Sequence, residues 1–364
     1  MKHSISLLAL LSLFIVSCSN PPSEKIQEVE EETLEKVNFY GSTQGTTYSV
    51  IVNDPISLSQ SEIDEVLRQF DLALSTYVPQ STISVLNNSP AGTYILADEF
   101  GYFEDCYQKS LSVFDSTGGL FDPTVFPLVE GWGFFKDMKD VPDSIRVQEL
   151  KSLTGFQKMG HFEFTATVPE EADSINLFKI VKRTPEAKLD FNAIAQGQAV
   201  DVLCDLIESK GGKNYFVEIG GEIKVKGKNS EGEYWRIGID KPIEDPSAQE
   251  RVIYEIVQLE NKAIATSGSY RKFYEKDGMK YSHTLNPKTG YPVQHTLLSA
   301  TVIAENCALA DAYATALMVM GAEKGIQFVN DHPQLELEAY LIFNNSKNRL
   351  ETYYTEGFME MVVD

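Results

Sequence analysis

The sequence predicts an α+β fold, with mixed or antiparallel sheets flanked by helices, on three observations. Strand-like and helix-like segments come in groups and do not strictly alternate, which disfavours a doubly wound parallel sheet. The 364 residues are 43% hydrophobic and 23% charged, a globular composition long enough for one large domain or two ordinary ones. No internal repeat is visible.

The elements follow in chain order. Lys2 and His3 precede an apolar run from Ile5 to Val16, then Ser17-Cys18. A run of roughly a dozen residues is too short to span a bilayer and has signal-peptide length. A small residue before the Cys reads as a lipoprotein signal: residues 1–17 are removed and Cys18 becomes the diacylated first residue. One lipidated terminus is an anchor and not a span. Residues 18–36 are polar and acidic, with Pro21, Pro22 and the run Glu30-Glu31-Glu32, and read as a flexible tether. The folded part is expected over 37–364.

Thr47 to Val52 reads as a strand. Ser61-Glu62-Ile63-Asp64 has the form of a capping box, opening a helix with Ile63, Val66, Leu67, Phe70 and Leu74 on its apolar face. A second helix is expected from Asp98 to Asp115, with Phe103, Tyr107, Leu111 and Phe114 on one side. A third starts near Ile194 and stops at Gly211-Gly212. Strands are expected at Tyr215–Ile219, Glu222–Gly227, Trp235–Asp240, Tyr254–Leu259 and Leu298–Ala304. A helix from about Ala308 to Met320 follows.

The formal net charge is −22. That disfavours nucleic acid as a partner, since phosphate binding needs a basic footprint. It also means that any bound polyanion must be neutralised locally, by a metal or by backbone N–H groups. Beyond Cys18 an odd number of cysteines remains (Cys106, Cys204 and Cys307), each beside apolar residues, so buried free thiols are expected. The five histidines show no zinc-type spacing.

Four segments crowd polar residues with Gly, Thr and Ser, as a packed core does not require. They are Gly45–Tyr48; Gly118-Gly119-Leu120-Phe121-Asp122-Pro123 running on to Phe134; Leu189-Asp190-Phe191-Asn192-Ala193-Ile194-Ala195-Gln196 with Gly220-Gly221; and Ala265–Tyr270 with Ser282-His283-Thr284-Leu285-Asn286. No Walker-type or GxGxxG pattern is present. In a helix, Asp311 and Thr315 stand at i and i+4 on one face. Their two hard oxygens suit Mg²⁺ held together with substrate phosphates and water. The same pair equally suits a helix cap and a core-filling threonine. Asp190 could cap the following helix or accept hydrogen bonds from a ligand. His283, among hydroxyls, suits a general base or a structural role.

Taken in order, these segments resemble the FAD:protein FMN transferases, the ApbE-type lipoproteins. The resemblance spans about Phe39 to Gly321. It rests on GTTYSV, STY at Ser75–Tyr77, SxISxLN at Ser81–Asn87 and GGLFDPTVFPLVEGWGF, followed by AIAQGQAVD, IGGEIKVKG, ATSGSYRKFY, SHTLNPKTGYP and ADAYATALMVMG. It implies an ApbE-like fold with an FAD cleft between two lobes. By position, the family's metal ligands fall on Asp311, Thr315 and the Ala193 carbonyl. Its FAD contacts fall near Gln44, Tyr77, Leu120, Phe121, Asp122, Asp190, Gln196 and Leu285, and its transfer histidine on His283. The chain departs from the family at Gln44 (often Met), Gln196 (often Lys) and Asn286 (often Asp). Losing that Lys removes a positive charge near the diphosphate, which places more weight on the metal.

The resemblance also implies the chemistry. FAD is the substrate and Mg²⁺ the cofactor, and a Thr or Ser hydroxyl of an acceptor protein takes FMN as a phosphoester while AMP leaves. Acceptors would be membrane subunits of redox complexes, and the enzyme would sit on the periplasmic side of a bacterial membrane, anchored through Cys18. An FAD hydrolase and a non-catalytic FAD-binding lipoprotein share most of these residues and remain alternatives.

Overall fold

In the computed structural model, residues 36–135, 141–156, 160–167, 176–242, 252–269, 273–276 and 279–363 are described. The signal, Cys18 and the tether up to residue 35 lie outside them. Leu34–Asp364 is one compact unit, so the cleft expected between two lobes opens inside a single contact unit.

The first hairpin joins β1 (Val37–Thr43) to β2 (Thr46–Val52). Gln44 and Gly45 turn it with φ of 51° and 75°, the positive pair that a tight two-residue hairpin needs. Helix α1 (Gln60–Leu74) buries Ile63, Leu67, Phe70 and Leu74 as its periodicity predicts. Its capping box is Ser59 with Glu62, two residues ahead of the Ser61–Asp64 frame. Ser59 is the residue in extended conformation, so its hydroxyl and not that of Ser61 accepts from the Glu62 N–H in the first turn. Helix α2 (Thr82–Asn88) and strand β3 (Gly92–Ala97) follow. Helix α3 spans Tyr102–Ser116 and does not begin at Asp98. Asp98 stands outside and accepts from the N–H groups of Phe103 and Glu104 at 3.1 and 2.9 Å.

Two short helices, α4 (Phe126–Gly131) and α5 (Ser144–Lys151), lead to β4 (Phe162–Thr167) and β5 (Leu177–Lys182). Helix α6 (Ala195–Ser209) ends just before Gly211-Gly212. Next come β6 (Tyr215–Ile219), β7 (Glu222–Lys226), β8 (Trp235–Asp240), β9 (Ile253–Leu259) and β10 (Ala263–Gly268). A small hairpin, β11 (Phe273–Lys276) with β12 (Met279–Ser282), precedes β13 (Leu297–Ala304). Helices α7 (Cys307–Met320) and α8 (Ala322–Asp331), strands β14 (Glu338–Asn344) and β15 (Leu350–Tyr354), and α9 (Glu356–Glu360) complete the described chain.

The strands β1-β2-β6-β7-β10-β13-β14-β15 form one eight-stranded sheet, and every described pairing in it is antiparallel. Helices α6 and α7 lie side by side on one face. Their close approach needs Gly197, where an added Cβ would stand 2.3 Å from the Cys307 carbonyl oxygen. The other face carries a second cluster with Trp235, Ile237 and Ile239 of β8 and Phe358 of α9. A third, separate cluster joins Leu128, Trp132, Val147 and Leu150 to Tyr281 and Leu285. Cys106, Cys204 and Cys307 are buried free thiols, as expected from their apolar neighbours.

Candidate active site

A cavity of about 970 Å³ opens at the end of the large sheet. Gln44, Tyr77, Leu120, Phe121, Asp122, Asp190, Ala193, Gln196, His283, Leu285, Asp311 and Thr315 all line it. Residues from six separate stretches of sequence thus reach one space.

Asp311 sits in the second turn of α7 and is not its cap. Asn306 caps the helix by accepting from the Leu309 N–H at 2.9 Å, and Asp201 takes the Cys307 and Ala308 N–H groups at 3.0 Å each. With the helix end already satisfied, the Asp311 carboxylate is left for the cavity, where it accepts from the Gly197 N–H at 3.2 Å. Burial pushes its carboxyl up to about 7. One turn on, the Thr315 hydroxyl meets the Ser267 hydroxyl at 3.1 Å. Thr266, its neighbour on β10, pairs instead with Thr301 across the ladder at 2.8 Å. Successive residues of a strand face opposite sides, so Ser267 and not Thr266 orients Thr315.

Asp190 is not a cap either, since α6 begins at Ala195 without a side-chain cap. Its carboxylate accepts from the Asn192 N–H at 2.8 Å and is pushed up to about 6 by burial. Asp122 is likewise raised to about 6 by burial, with Thr124 donating from both its N–H and its hydroxyl. The Tyr77 ring is 64% exposed and lies 4.9 Å from the Phe135 ring, centroid to centroid. It offers a broad aromatic face at the cavity mouth. Gln44 donates to Asp71, and the Gln196 amide packs over Gly220, where a Cβ would stand 2.3 Å from its nitrogen.

His283 is held differently. It lies between Tyr281 and Leu285, both rooted in the third cluster. The loop beyond is closed by Asn286 N–H to Tyr291 O at 2.9 Å and Val293 N–H to Thr284 O at 2.9 Å. Trp132 donates its indole N–H to the Gly290 carbonyl at 2.8 Å. Ser282 accepts from the Thr284 N–H at 3.2 Å and so shapes the turn under His283. The Asn286 side chain accepts from the Lys288 N–H at 2.9 Å, a bond that an aspartate would make equally well.

The sequence motifs missed the cavity's charge. Among the described residues its walls carry the carboxylates Asp71, Asp122, Asp190, Glu218, Glu222, Asp240 and Asp311, against Arg236 as the sole Lys or Arg. Glu218 and Glu222 flank the Gly220-Gly221 turn, a spot already marked. Arg236 alternates outward from buried Trp235 and Ile237, which marks a strand face but not the space it borders. Among the described residues no group of three or more His, Cys, Asp or Glu is arranged to hold a metal. An oxygen set of one carboxylate, one hydroxyl and one carbonyl would not form such a group.

Residues 44–341 match the ApbE family. The FAD:protein FMN transferase of Vibrio cholerae is 34% identical over 330 residues, 88% of this chain and 89% of that protein. The Escherichia coli protein of the same name is 33% identical over 90% of both. Among solved structures, the flavin transferase ApbE from Vibrio cholerae superposes with a TM-score of 0.74 at 33% identity, covering 90% of this chain and 99% of that one. The flavinyl transferase ApbE of Pseudomonas stutzeri, in its apo form, gives a TM-score of 0.74 at 31% identity over 90% and 96%.

Proposed function

The chain belongs to the ApbE family and is a transferase, and from that premise we propose that it moves FMN from FAD to a Thr or Ser hydroxyl of an acceptor protein, with Mg²⁺ as cofactor and AMP as the leaving product. The observation that carries the metal dependence is charge. A diphosphate entering walls with seven carboxylates and one Lys or Arg among the described residues meets repulsion unless a cation comes with it.

The residues fit such an ion. Asp311 is a buried carboxylate whose proton affinity is raised by desolvation, a state that a dication relieves. With the Thr315 hydroxyl and the Ala193 carbonyl it supplies hard oxygens, and Mg²⁺ typically adds substrate phosphates and water to so few protein ligands. Bound there, Mg²⁺ would neutralise charge developing on the phosphates. The chain's own groups do the positioning, which dominates phosphoryl transfer. Ser267 orients Thr315. Tyr77, Leu120, Phe121 and Leu285 form apolar and aromatic walls for the ring systems. His283 takes the proton of the acceptor hydroxyl as its oxygen bonds the riboflavin-side phosphorus. The bridging P–O bond breaks and AMP departs with the bridging oxygen.

The test is a mixture of enzyme, FAD, Mg²⁺ and a Thr-bearing acceptor. A fluorescent band at the acceptor's size should survive boiling in detergent, with AMP released. EDTA should abolish the band, and Asp311→Asn should lower the rate by about 100-fold or more without unfolding, given the several kcal/mol a metal contributes. FMN and AMP without a labelled acceptor would favour a hydrolase. FAD binding without AMP would favour a binder and point to Gln196→Lys. The proposal also tethers the protein through Cys18 to the periplasmic face of a membrane, where subunits of redox complexes would serve as acceptors. It is supported by the apolar run before Cys18 and the acidic stretch after it. Cys18→Ser should release the protein from the membrane fraction, and equal association of both forms would sink the anchor.

A further inference from the structure

Leu189 to Ala193 supplies three residues of the cavity wall, Asp190, Asn192 and Ala193, yet among the described residues no strand pairs with it. A buried stretch without regular structure must find partners for its N–H and C=O groups elsewhere. The Asn87 side chain supplies them for Leu189, while the Asp190 N–H donates to the Pro123 carbonyl at 2.7 Å. Its Oδ1 accepts from the Leu189 N–H at 2.7 Å and its Nδ2 donates to the Leu189 carbonyl at 2.8 Å. One amide thus satisfies both backbone groups of the residue next to Asp190. Asn87 is itself held, because Lys182 donates from Nζ to the carbonyls of Leu86, Asn87 and Ser89 at 3.1, 2.8 and 2.9 Å. Lys182 is 1% exposed, and a buried ammonium is tolerated only when its donors are satisfied. The three bonds gather the end of α2 into one geometry.

We infer that Asn87 and Lys182 are positioning residues, a two-part clamp that sets Asp190 in the cavity and thereby sets the affinity for FAD. The inference rests on the FAD reading above for its functional half and on the hydrogen bonds alone for its structural half. Neither residue touches the cavity, so both act through Leu189 and Asp190.

Two measurements on the full chain separate these halves. The first is amide hydrogen exchange without ligand. Asn87→Ala should raise exchange across residues 188–194 at least tenfold while α7 keeps its protection, and unchanged exchange there would overturn the clamp. The second is FAD affinity by flavin fluorescence. Asn87→Ala should weaken binding at least tenfold, whereas Phe358→Leu, a cavity on the opposite sheet face, should lower the melting temperature and leave affinity within twofold. Asn87→Ala combined with Asp190→Asn should bind no more weakly than Asp190→Asn alone; additive losses would mean that Asn87 does not act through Asp190. If Asn87→Ala does not fold, Asn87→Asp keeps the shape and the acceptor but at neutral pH loses the donor, and should show the same exchange change in smaller measure. Absence of FAD binding by the unmodified chain would refute the transferase reading, and the exchange result would still decide the clamp.

Discussion

Asp311 and His283 border the same cavity but are carried by unlike parts of the molecule. Asp311 rides on a helix buried nearly all round, locked to α6 by the Gly197 contact and to the sheet by the main core. His283 rides on a hairpin loop that, among the described residues, is rooted in a small satellite cluster and braced by an indole hydrogen bond. Local opening is easier where few apolar contacts must be broken. The side of the cleft that would hold phosphates and metal is therefore the stiffer one, and the side that would meet the acceptor hydroxyl is the one able to yield. An enzyme that must admit a protein segment to a bound dinucleotide needs that asymmetry.

The comparison can be broken most sharply at the histidine. His283→Ala should slow acceptor labelling by about 10²–10⁴-fold, the usual worth of a general base, and leave FAD affinity nearly unchanged. A parallel loss of FAD affinity would show that the histidine serves the cofactor instead. The stiff side is probed next by Gly197→Ala. The added methyl meets the Cys307 carbonyl oxygen, so the α6–α7 contact must open, with about 1–3 kcal/mol of destabilisation. Thermal melting should fall together with FAD affinity, since Gly197 also donates to Asp311. The smallest effect is expected on the yielding side. Trp132→Phe keeps an aromatic ring but deletes the donor to Gly290 and leaves a small void in the third cluster, costing about 1–2 kcal/mol. Acceptor labelling should drop several-fold more than FAD affinity does. Equal drops in both would mean that the two sides are not mechanically distinct.

Much of this was legible in residue order, because the informative signals are local. The 3.6-residue period at Ile63, Leu67, Phe70 and Leu74 and the alternation in Trp235–Asp240 are properties of a single element, and both appear as read. The ordered motifs were enough to identify the family. The short apolar runs at Val37–Thr43, Gly92–Ala97 and Leu350–Tyr354 carry weaker patterns and become strands only because a partner strand satisfies their backbones. The helix starts show the same limit. Whether Ser59 or Ser61 caps α1 depends on which residue adopts the extended geometry, which neighbouring packing selects.

At the cavity the division is clearer still. From its own fragment of sequence, Asp311 read as a cap or a metal ligand, and Thr315 as a core filler or a metal ligand; only the family resemblance favoured the ligands. Tertiary structure removed the cap reading by bringing Asp201, more than a hundred residues away, to the N–H groups an Asp cap would have taken. It gave the Thr315 hydroxyl a partner by facing Ser267 to it across β10 and α7. Local sequence determines which elements form and which of their faces are apolar. Which carboxylate is left facing the cavity depends on how the helix-end donors find their partners, and those partners come from distant parts of the chain.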